Sequence, residues 1–296
     1  MIGLVTDSNS QLPPDLAQRY GVRVVPLTVS VDGTDYLEGE TLDADGFYDL
    51  FDGGAPAVKT SQPSPGRFAE TYEALARRGF DEILSIHVGS KISGTVNSAR
   101  LAAAGAPVSV NVVDSGTVSF GVACCVWEAA EALAAGRTVV EAAEVAARVG
   151  STLGNVFIVK SLDLVRAGGR LTGRDPNDEP RLTRVLTLNA NKMEVIGAVS
   201  CDEEAADVMA AHVRAGGGSL RAGIGSADRA TTAALTDALH DRLASAPEVR
   251  ELVRYRVGPS VGAHTGPGTV GAMYYESGWN PPADNASMMS PCRPDR

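Results

Sequence analysis

Three short segments rich in hydroxyl side chains and glycine are the part of this sequence best suited to chemistry. Glycine and proline form turns in which backbone amides approach a ligand closely, and hydroxyl groups both donate and accept hydrogen bonds. None of the segments contains a lysine or an arginine. If folding brings them together, they predict a site that holds one small anionic group by hydrogen bonds; for each segment alone, an ordinary turn is the alternative. The segments are Thr60-Ser61-Gln62-Pro63-Ser64, Ile92-Ser93-Gly94-Thr95 and His264-Thr265-Gly266-Pro267-Gly268.

Two other chemistries find less support in the motifs. Ser93 and His264 could act as nucleophile and base, but the sequence has no G-x-S-x-G elbow and places no carboxylate to orient the histidine. Gly223-Ile224-Gly225 resembles the start of a dinucleotide-binding turn. The third glycine is absent, and Asp228 would bring a negative charge near a pyrophosphate. We therefore predict a strand-turn-helix junction with Asp228 as the helix cap.

The carboxylates and cysteines do not form a metal-binding pattern. Asp7 and Asp114 each precede a serine at the end of a predicted strand, where aspartate typically bonds neighbouring backbone amides. The four cysteines have no C-x-x-C spacing, so neither a zinc site nor a disulfide framework is predicted. Arg170 follows two glycines and could either reach an anionic ligand or complement the end of a helix.

Composition narrows the class of partner. The 296-residue chain has a formal net charge of -10, which argues against binding nucleic acid or docking on an anionic membrane. The N-terminus begins directly with a predicted strand, and no run of about 20 apolar residues occurs. We expect a cytoplasmic protein that makes at most transient contact with membranes.

The elements that position these segments follow an α/β pattern. Short β-rich runs alternate with amphipathic helical stretches, which predicts mostly parallel sheets flanked by helices. The pattern restarts near residue 152, so we predict an N-terminal domain over 1–152, a C-terminal domain over 153–278 and a flexible tail over 279–296. Ligands of such folds lie between domains or beyond the carboxyl ends of strands. Strands are predicted at 2–5, 22–26, 82–87, 110–114, 156–159, 184–188, 193–199, 220–224 and 249–256.

The order and spacing of the motifs resemble the DegV family of fatty-acid-binding proteins. The resemblance runs from about residue 4 to residue 274. It is carried by the three hydroxyl-rich segments, which resemble the T-S-Q-P-S, L-S-G-T and H-T-G-P-G elements of the family. Further matches are Val5-Thr6-Asp7-Ser8, Val113-Asp114-Ser115 with Ser119, and Leu164-Val165-Arg166-Ala167-Gly168-Gly169-Arg170-Leu171.

This resemblance implies a function and a set of ligand-binding residues. It implies a carrier that is not itself an enzyme, that needs no cofactor and no metal, and that holds a long-chain fatty acid in a tunnel of the first domain near the interdomain cleft. It also implies that the carrier presents the acid to a separate fatty-acid kinase; we expect a monomer. The residues that the resemblance places around the carboxyl group are Thr60, Ser61, Ser93, Gly94, Thr95, Asn97, Arg170, His264 and Thr265.

One segment departs from the family pattern. Where family members carry an arginine in a G-x-V-R-T-like stretch, this chain reads Gly197-Ala198-Val199-Ser200-Cys201-Asp202. The family arginine is implicated in the kinase partnership, so its replacement favours the alternative of a lipid sensor or storage protein without a kinase. A serine acyl hydrolase built on Ser93 and His264 is the second alternative.

Overall fold

The structure, a computed structural model, describes residues 1–159, 182–189 and 192–277. Arg170 and the glycine-rich segment around it lie outside the described residues, as does the tail predicted from residue 279.

A parallel four-stranded sheet forms the first layer, as the alternating pattern predicts. Its strand order is β2-β1-β6-β7, and every neighbouring pair is parallel. Connections between parallel strands must cross over the sheet, and helices supply them here. The four strands are β1 (Ile2–Asp7), β2 (Arg23–Val25), β6 (Glu82–His87) and β7 (Ser109–Asp114).

A three-stranded antiparallel sheet, absent from the sequence prediction, is inserted between β2 and β6. Its order is β4-β3-β5. Asp32 and Gly33 join β3 to β4 with φ angles of 48° and 87°, as a tight hairpin turn requires. This Asp-Gly pair was the signal in the sequence that could have revealed the hairpin. The strands are β3 (Thr28–Val31), β4 (Thr34–Leu37) and β5 (Val58–Ser61).

The second large sheet corrects part of the prediction. Its order is β10-β9-β8-β13-β11-β12, and only the β11–β12 pair is parallel. Only two residues separate β9 from β10, which permits a hairpin but no crossover. The last strand then inserts antiparallel between β8 and β11. The strands are β8 (Gly154–Ile158), β9 (Thr183–Asn189), β10 (Lys192–Val199), β11 (Leu220–Ser226), β12 (Val249–Arg256) and β13 (Val270–Glu276).

Side-chain caps mark the start of several helices. Thr138 and Glu141 form a reciprocal capping box, and the Asp228 carboxylate accepts hydrogen bonds from the amides of Ala230 and Thr231. The α-helices are α1 (Pro14–Tyr20), α2 (Ala44–Asp49), α3 (Pro65–Arg77), α4 (Thr95–Ala103), α5 (Phe120–Ala134), α6 (Val139–Thr152), α7 (Asp202–Arg214), α8 (Arg229–Ala244) and α9 (Pro259–Thr265); a 3-10 helix covers Ser8–Ser10.

Helix α5 is buried along nearly its whole length and packs against both large sheets. Its first residue, Phe120, stacks on Tyr255 of β12 with ring centroids 4.5 Å apart. A Cβ atom at Gly223 would collide with Phe120, and one at Gly225 would collide with Tyr255. The Gly223-Ile224-Gly225 run therefore makes room for two aromatic rings, and Asp228 caps α8 as predicted.

The chain passes from the four-stranded sheet to the six-stranded sheet between α6 and β8. Because α5 joins both sheets in one core, the division into two domains at residue 152 stays a prediction. None of the helices in the described ranges is long and apolar enough to cross a bilayer.

A buried ionic cluster ties α5 to the second sheet. Arg221 of β11 is 3% exposed and donates hydrogen bonds to Glu128 at 2.5 Å, to Glu131 at 2.9 and 3.0 Å and to Glu251 at 2.9 Å. Its guanidinium also lies 4.8 Å from the ring centroid of Trp127. One cation thus serves three carboxylates, two of them on α5.

Replacing Arg221 should destabilise the fold strongly. Arg221→Met leaves Glu128 buried without its cation, and breaking a buried pair in this way costs about 3–5 kcal/mol. The free energy of unfolding is measured by urea denaturation. Arg214→Met is the matched control because its ion pair with Glu248 is partly exposed, and it should cost under about 1 kcal/mol. Equal losses in the two variants would contradict this account.

Candidate functional site

The parallel sheet brings three loops to one edge. The carboxyl ends of β1, β6 and β7 lie side by side, so the residues after Asp7, His87 and Asp114 share that edge. The loop after β6 runs through Ser93 into α4. This arrangement places one of the three hydroxyl-rich segments beside the aspartate-serine pairs.

Asp7 and His87 form a buried support beneath that loop. Asp7 Oδ2 accepts a hydrogen bond from the amide of Val88 and lies 3.0 Å from His87 Nδ1. His87 Nε2 lies 2.7 Å from Ser85 Oγ, which in turn lies 2.9 Å from the Tyr72 hydroxyl. These side chains are fully buried. They fix the point at which the loop leaves the sheet.

Asp114 holds the other side of the same loop. Its Oδ1 accepts hydrogen bonds from the amides of Ser90 at 3.1 Å and Gly116 at 3.0 Å. Partial burial disfavours its charged form, but the hydrogen bonds from Ser90 and Gly116 outweigh this and lower its pKa. Both aspartates therefore bond backbone amides, as predicted. In the described part of the chain, no cluster of histidine, cysteine and carboxylate groups could hold a metal ion.

Ser93 and Thr95 form a hydroxyl pair at the start of α4. Ser93 Oγ lies 2.8 Å from Thr95 Oγ1 and accepts a hydrogen bond from the Thr95 amide. Gly94 is the N-cap of α4 and offers no side chain to cap it. The hydroxyl pair therefore lies at the positive end of a helix dipole, which favours an anion.

Gln62 connects this pair to the first hydroxyl-rich segment. Its side chain packs against Gly94 so closely that a Cβ atom there would collide with it. Its amide nitrogen donates a hydrogen bond to Ser98 Oγ at 3.3 Å. Sequence reasoning assigned no role to Gln62 or Ser98; the spacing of Ser98, four residues after Gly94, places it on the same face of α4.

Thr60 and His264 form a second pair, although they are 204 positions apart in the sequence. Thr60 Oγ1 on β5 lies 3.1 Å from His264 Nε2 on the last turn of α9. Helix α9 lies close because Gly262 faces Tyr48, where a larger residue would collide. The Tyr48 hydroxyl in turn donates to the carbonyl of Val257 at 2.8 Å.

The remaining residues predicted to bind the ligand are not part of either pair. Ser61 is exposed, and because side chains alternate along β5 it points away from the face that carries Thr60. Asn97 is on an exposed face of α4. The Thr265 hydroxyl donates to the carbonyl of Val261 within α9. Arg170 is outside the described residues. The ligand roles of all nine residues stay predictions.

Comparison with known proteins covers most of the chain. The profile of a family described as "Uncharacterised protein, DegV family" matches residues 1–277. A DegV domain-containing protein of Streptomyces coelicolor is 35% identical over 280 residues, covering 92% of this chain and 97% of that protein. The chain belongs to the DegV family.

Two solved structures share the fold. A DegV family protein from Thermus thermophilus that binds fatty acid superposes with a TM-score of 0.81 and 35% identity, covering 93% of this chain and 99% of that one. A protein from Thermotoga maritima, whose structure revealed a fatty-acid-binding function, gives a TM-score of 0.82 and 26% identity, with the same coverage of 93% and 99%.

The contact between Gly94 and Gln62 predicts that a side chain at position 94 will lower ligand affinity. Gly94→Ala should force the Gln62 side chain away and displace the start of α4, which lowers affinity for any ligand held by Ser93. The measurement is titration with palmitate, the probe for a fatty-acid ligand, followed by intrinsic fluorescence. Gly105→Ala is the matched control, since a Cβ atom there meets nothing within 4 Å.

The double variant Gln62→Ala/Gly94→Ala removes the collision. It should recover part of the affinity lost in Gly94→Ala, whereas an equal loss in the single and double variants would show that the collision is not the cause.

Proposed function

We propose that this DegV protein binds a long-chain fatty acid and holds its carboxyl group at the Ser93–Thr95 and Thr60–His264 pairs. The observation that carries the proposal is that Gln62, two residues after Thr60, packs against Gly94 between Ser93 and Thr95, in a chain 35% identical along its length to a fatty-acid-binding relative. The conclusion extends that relative's function to this chain.

The two pairs have the hydrogen-bonding capacity that a carboxylate needs. When two hydroxyls bond to each other, one proton is used between them and the other is free to point at a ligand. The Ser93–Thr95 pair can therefore donate one hydrogen bond outward. In the other pair, Thr60 can donate to a ligand when His264 Nε2 carries a proton and donates it to Thr60 Oγ1. Hydrogen bonds to a charged acceptor are stronger than those between neutral groups.

Burial of the acyl chain would supply most of the binding free energy. At about 0.8 kcal/mol for each CH₂ group, a long chain contributes on the order of 10 kcal/mol before the costs of association. The carboxyl group then sets the orientation, because an unpaired buried carboxylate is strongly unfavourable. We place the acyl tunnel in the N-terminal half, where the segments that carry Thr60 and Ser93 lie.

The kinase partnership is the finer part of the proposal. A carrier of this kind would be a cytoplasmic monomer that presents the carboxyl group for conversion to an acyl phosphate. The alternative, a lipid sensor or storage protein, is favoured by the surface around Ser200. There the Ser200 amide and hydroxyl donate to Glu204, and the first turn of α7 carries Asp202, Glu203 and Glu204.

Mass spectrometry of the purified protein, first native and then denatured, tests the binding function. We expect one fatty acid for each chain, released on denaturation. An empty protein that also fails to take up labelled palmitate would refute the proposal.

Ser93→Ala tests the assignment of the carboxyl site. Loss of one hydrogen bond to a charged group costs about 1.5–3 kcal/mol, so palmitate affinity should fall about 10- to 100-fold. Ser151→Ala is the control, because its hydroxyl bonds only the end of α6, at the carbonyl of Arg148. Unchanged affinity in Ser93→Ala would show that the carboxyl group binds elsewhere.

Esterase assays separate binding from hydrolysis. The structure describes no hydrogen bond between Ser93 and His264, and Ser93 Oγ is paired with Thr95. We therefore expect no turnover of p-nitrophenyl palmitate. Turnover that disappears in Ser93→Ala would instead establish the hydrolase.

A further inference from the structure

A cleft of about 800 Å³ has a lining that includes neither the Ser93–Thr95 pair nor the Thr60–His264 pair. It falls within the usual volume of small-molecule pockets, about 300–1,000 Å³. One wall comes from the N-terminal half and the other from the six-stranded sheet and α8, and none of the residues of the two hydroxyl pairs lines it. The lining residues that matter here are Leu12, Asp45, Ser226, Arg229, Ala233 and Arg256.

The cleft lies at the carboxyl ends of the one parallel pair in the six-stranded sheet. Ser226 and Arg256 are the last residues of β11 and β12, and they lie opposite each other in the ladder. Ligands of α/β sheets commonly bind beyond the carboxyl ends of parallel strands. The position is thus suited to a ligand on grounds independent of the cleft's volume.

Arg256 has an incomplete set of partners in this cleft. Its Nη1 lies 3.3 Å from Ser226 Oγ and 3.4 Å from the Ser226 carbonyl, and its Nη2 donates to Asp45 Oδ1 at 2.6 Å. Its Nε is buried and has no hydrogen-bond partner among the residues described. A buried N–H without an acceptor is costly, and a guanidinium presents Nε–H and an Nη–H side by side to two oxygens of one oxoanion.

Two more arginines line the cleft, and each is paired with an exposed aspartate that an incoming anion can displace. Arg254, two residues before Arg256 on the same face of β12, donates to Asp237 at 2.7 Å. Arg229 lies 3.5 Å from Asp45 Oδ2. The side chains of Asp45 and Asp237 are 54% and 64% exposed, and ion pairs of such groups contribute little, so an anion can displace them.

Two other acidic residues, Asp43 and Glu38, line the cleft, and both are hydrogen-bonded within the protein. Asp43 is engaged as the cap of α2, where it accepts from the Gly46 amide. Burial raises the pKa of Glu38, although hydrogen bonds from Ser8, Ser260 and Gln11 oppose that shift. Both oxygens of Glu38 accept hydrogen bonds within the protein, from the Ser8 hydroxyl, the Gln11 side chain and the Ser260 amide.

We propose that this cleft binds a small organic anion. Its phosphate or carboxylate group lies on Arg256 and Ser226 in place of Asp45, and Arg229 adds a second positive charge. Its apolar part lies against Leu12, Pro13 and Ala233, which also line the cleft.

Isothermal titration of the full-length chain with phenyl phosphate tests the proposal. Arg256→Gln should weaken binding at least tenfold. Asp45→Asn should tighten it severalfold, because it frees both Arg256 and Arg229. Arg214→Gln, which removes an arginine paired with Glu248 away from the cleft, should change nothing. Ser93→Ala should also leave the affinity unchanged, which separates this site from the fatty-acid site.

Related probes identify the preferred head group. Inorganic phosphate should bind more weakly than phenyl phosphate because it lacks the apolar part, and benzoate reports whether a carboxylate is preferred to a phosphate. No binding of phenyl phosphate at millimolar concentration would overturn the proposal. Loss of phenyl phosphate binding in Ser93→Ala would also overturn it, as would an Asp45→Asn variant that binds no more tightly than the unmodified chain. If Arg256→Gln does not fold, the result for Asp45→Asn tests the proposal by itself.

Discussion

The buried contact between Arg221 and the carboxylates of α5 is the constraint on which the arrangement of the two large sheets depends. Glu128 and Glu131 lie on a helix that is otherwise almost entirely apolar, and Glu128 is only 3% exposed. A buried carboxylate is costly unless it is paired or fully hydrogen-bonded, and here the six-stranded sheet supplies a cation from β11. The cluster therefore sets how α5 can lie on that sheet, because any sliding would separate the charges.

The candidate head-group site depends on this arrangement through α9. That helix follows β12, begins beside the cleft at Pro259 and carries His264 in its last turn. The glycine at 262 lets it lie against α2, and the Tyr48 hydroxyl bonds the carbonyl of Val257 just before it. The position of His264 beside Thr60 is thus set by contacts between the two halves of the chain.

Local patterns were sufficient to predict much of the fold. The strand at 82–87 was predicted at its observed bounds, and the predicted cap at Asp228 correctly marked the start of α8. Strand direction in the second sheet was not predictable from alternation, because a β-rich run has the same period in parallel and antiparallel sheets. The strand at 270–276 was missed, and the Asp-Gly turn of the inserted hairpin was not used.

The candidate site was likewise predictable only where it depends on residues close together in the sequence. The hydroxyl-rich segments were recognisable from their composition, although Thr60 lies on β5 and His264 in α9, and the family resemblance assigned them to one ligand. The sequence alone could not pair Thr60 with His264, because their contact spans 204 residues and depends on the packing of α9.

The role of Gln62 was hidden for another reason. It acts by shape, filling the space that Gly94 leaves open, and a glycine in a turn gives no sign of which side chain approaches it. The same limit applied to Gly223 and Gly225, which suggested a nucleotide turn but accommodate Phe120 and Tyr255. In this chain, glycines next to functional motifs are explained by the neighbouring ring or amide that needs the space, and that neighbour is visible only in the folded structure.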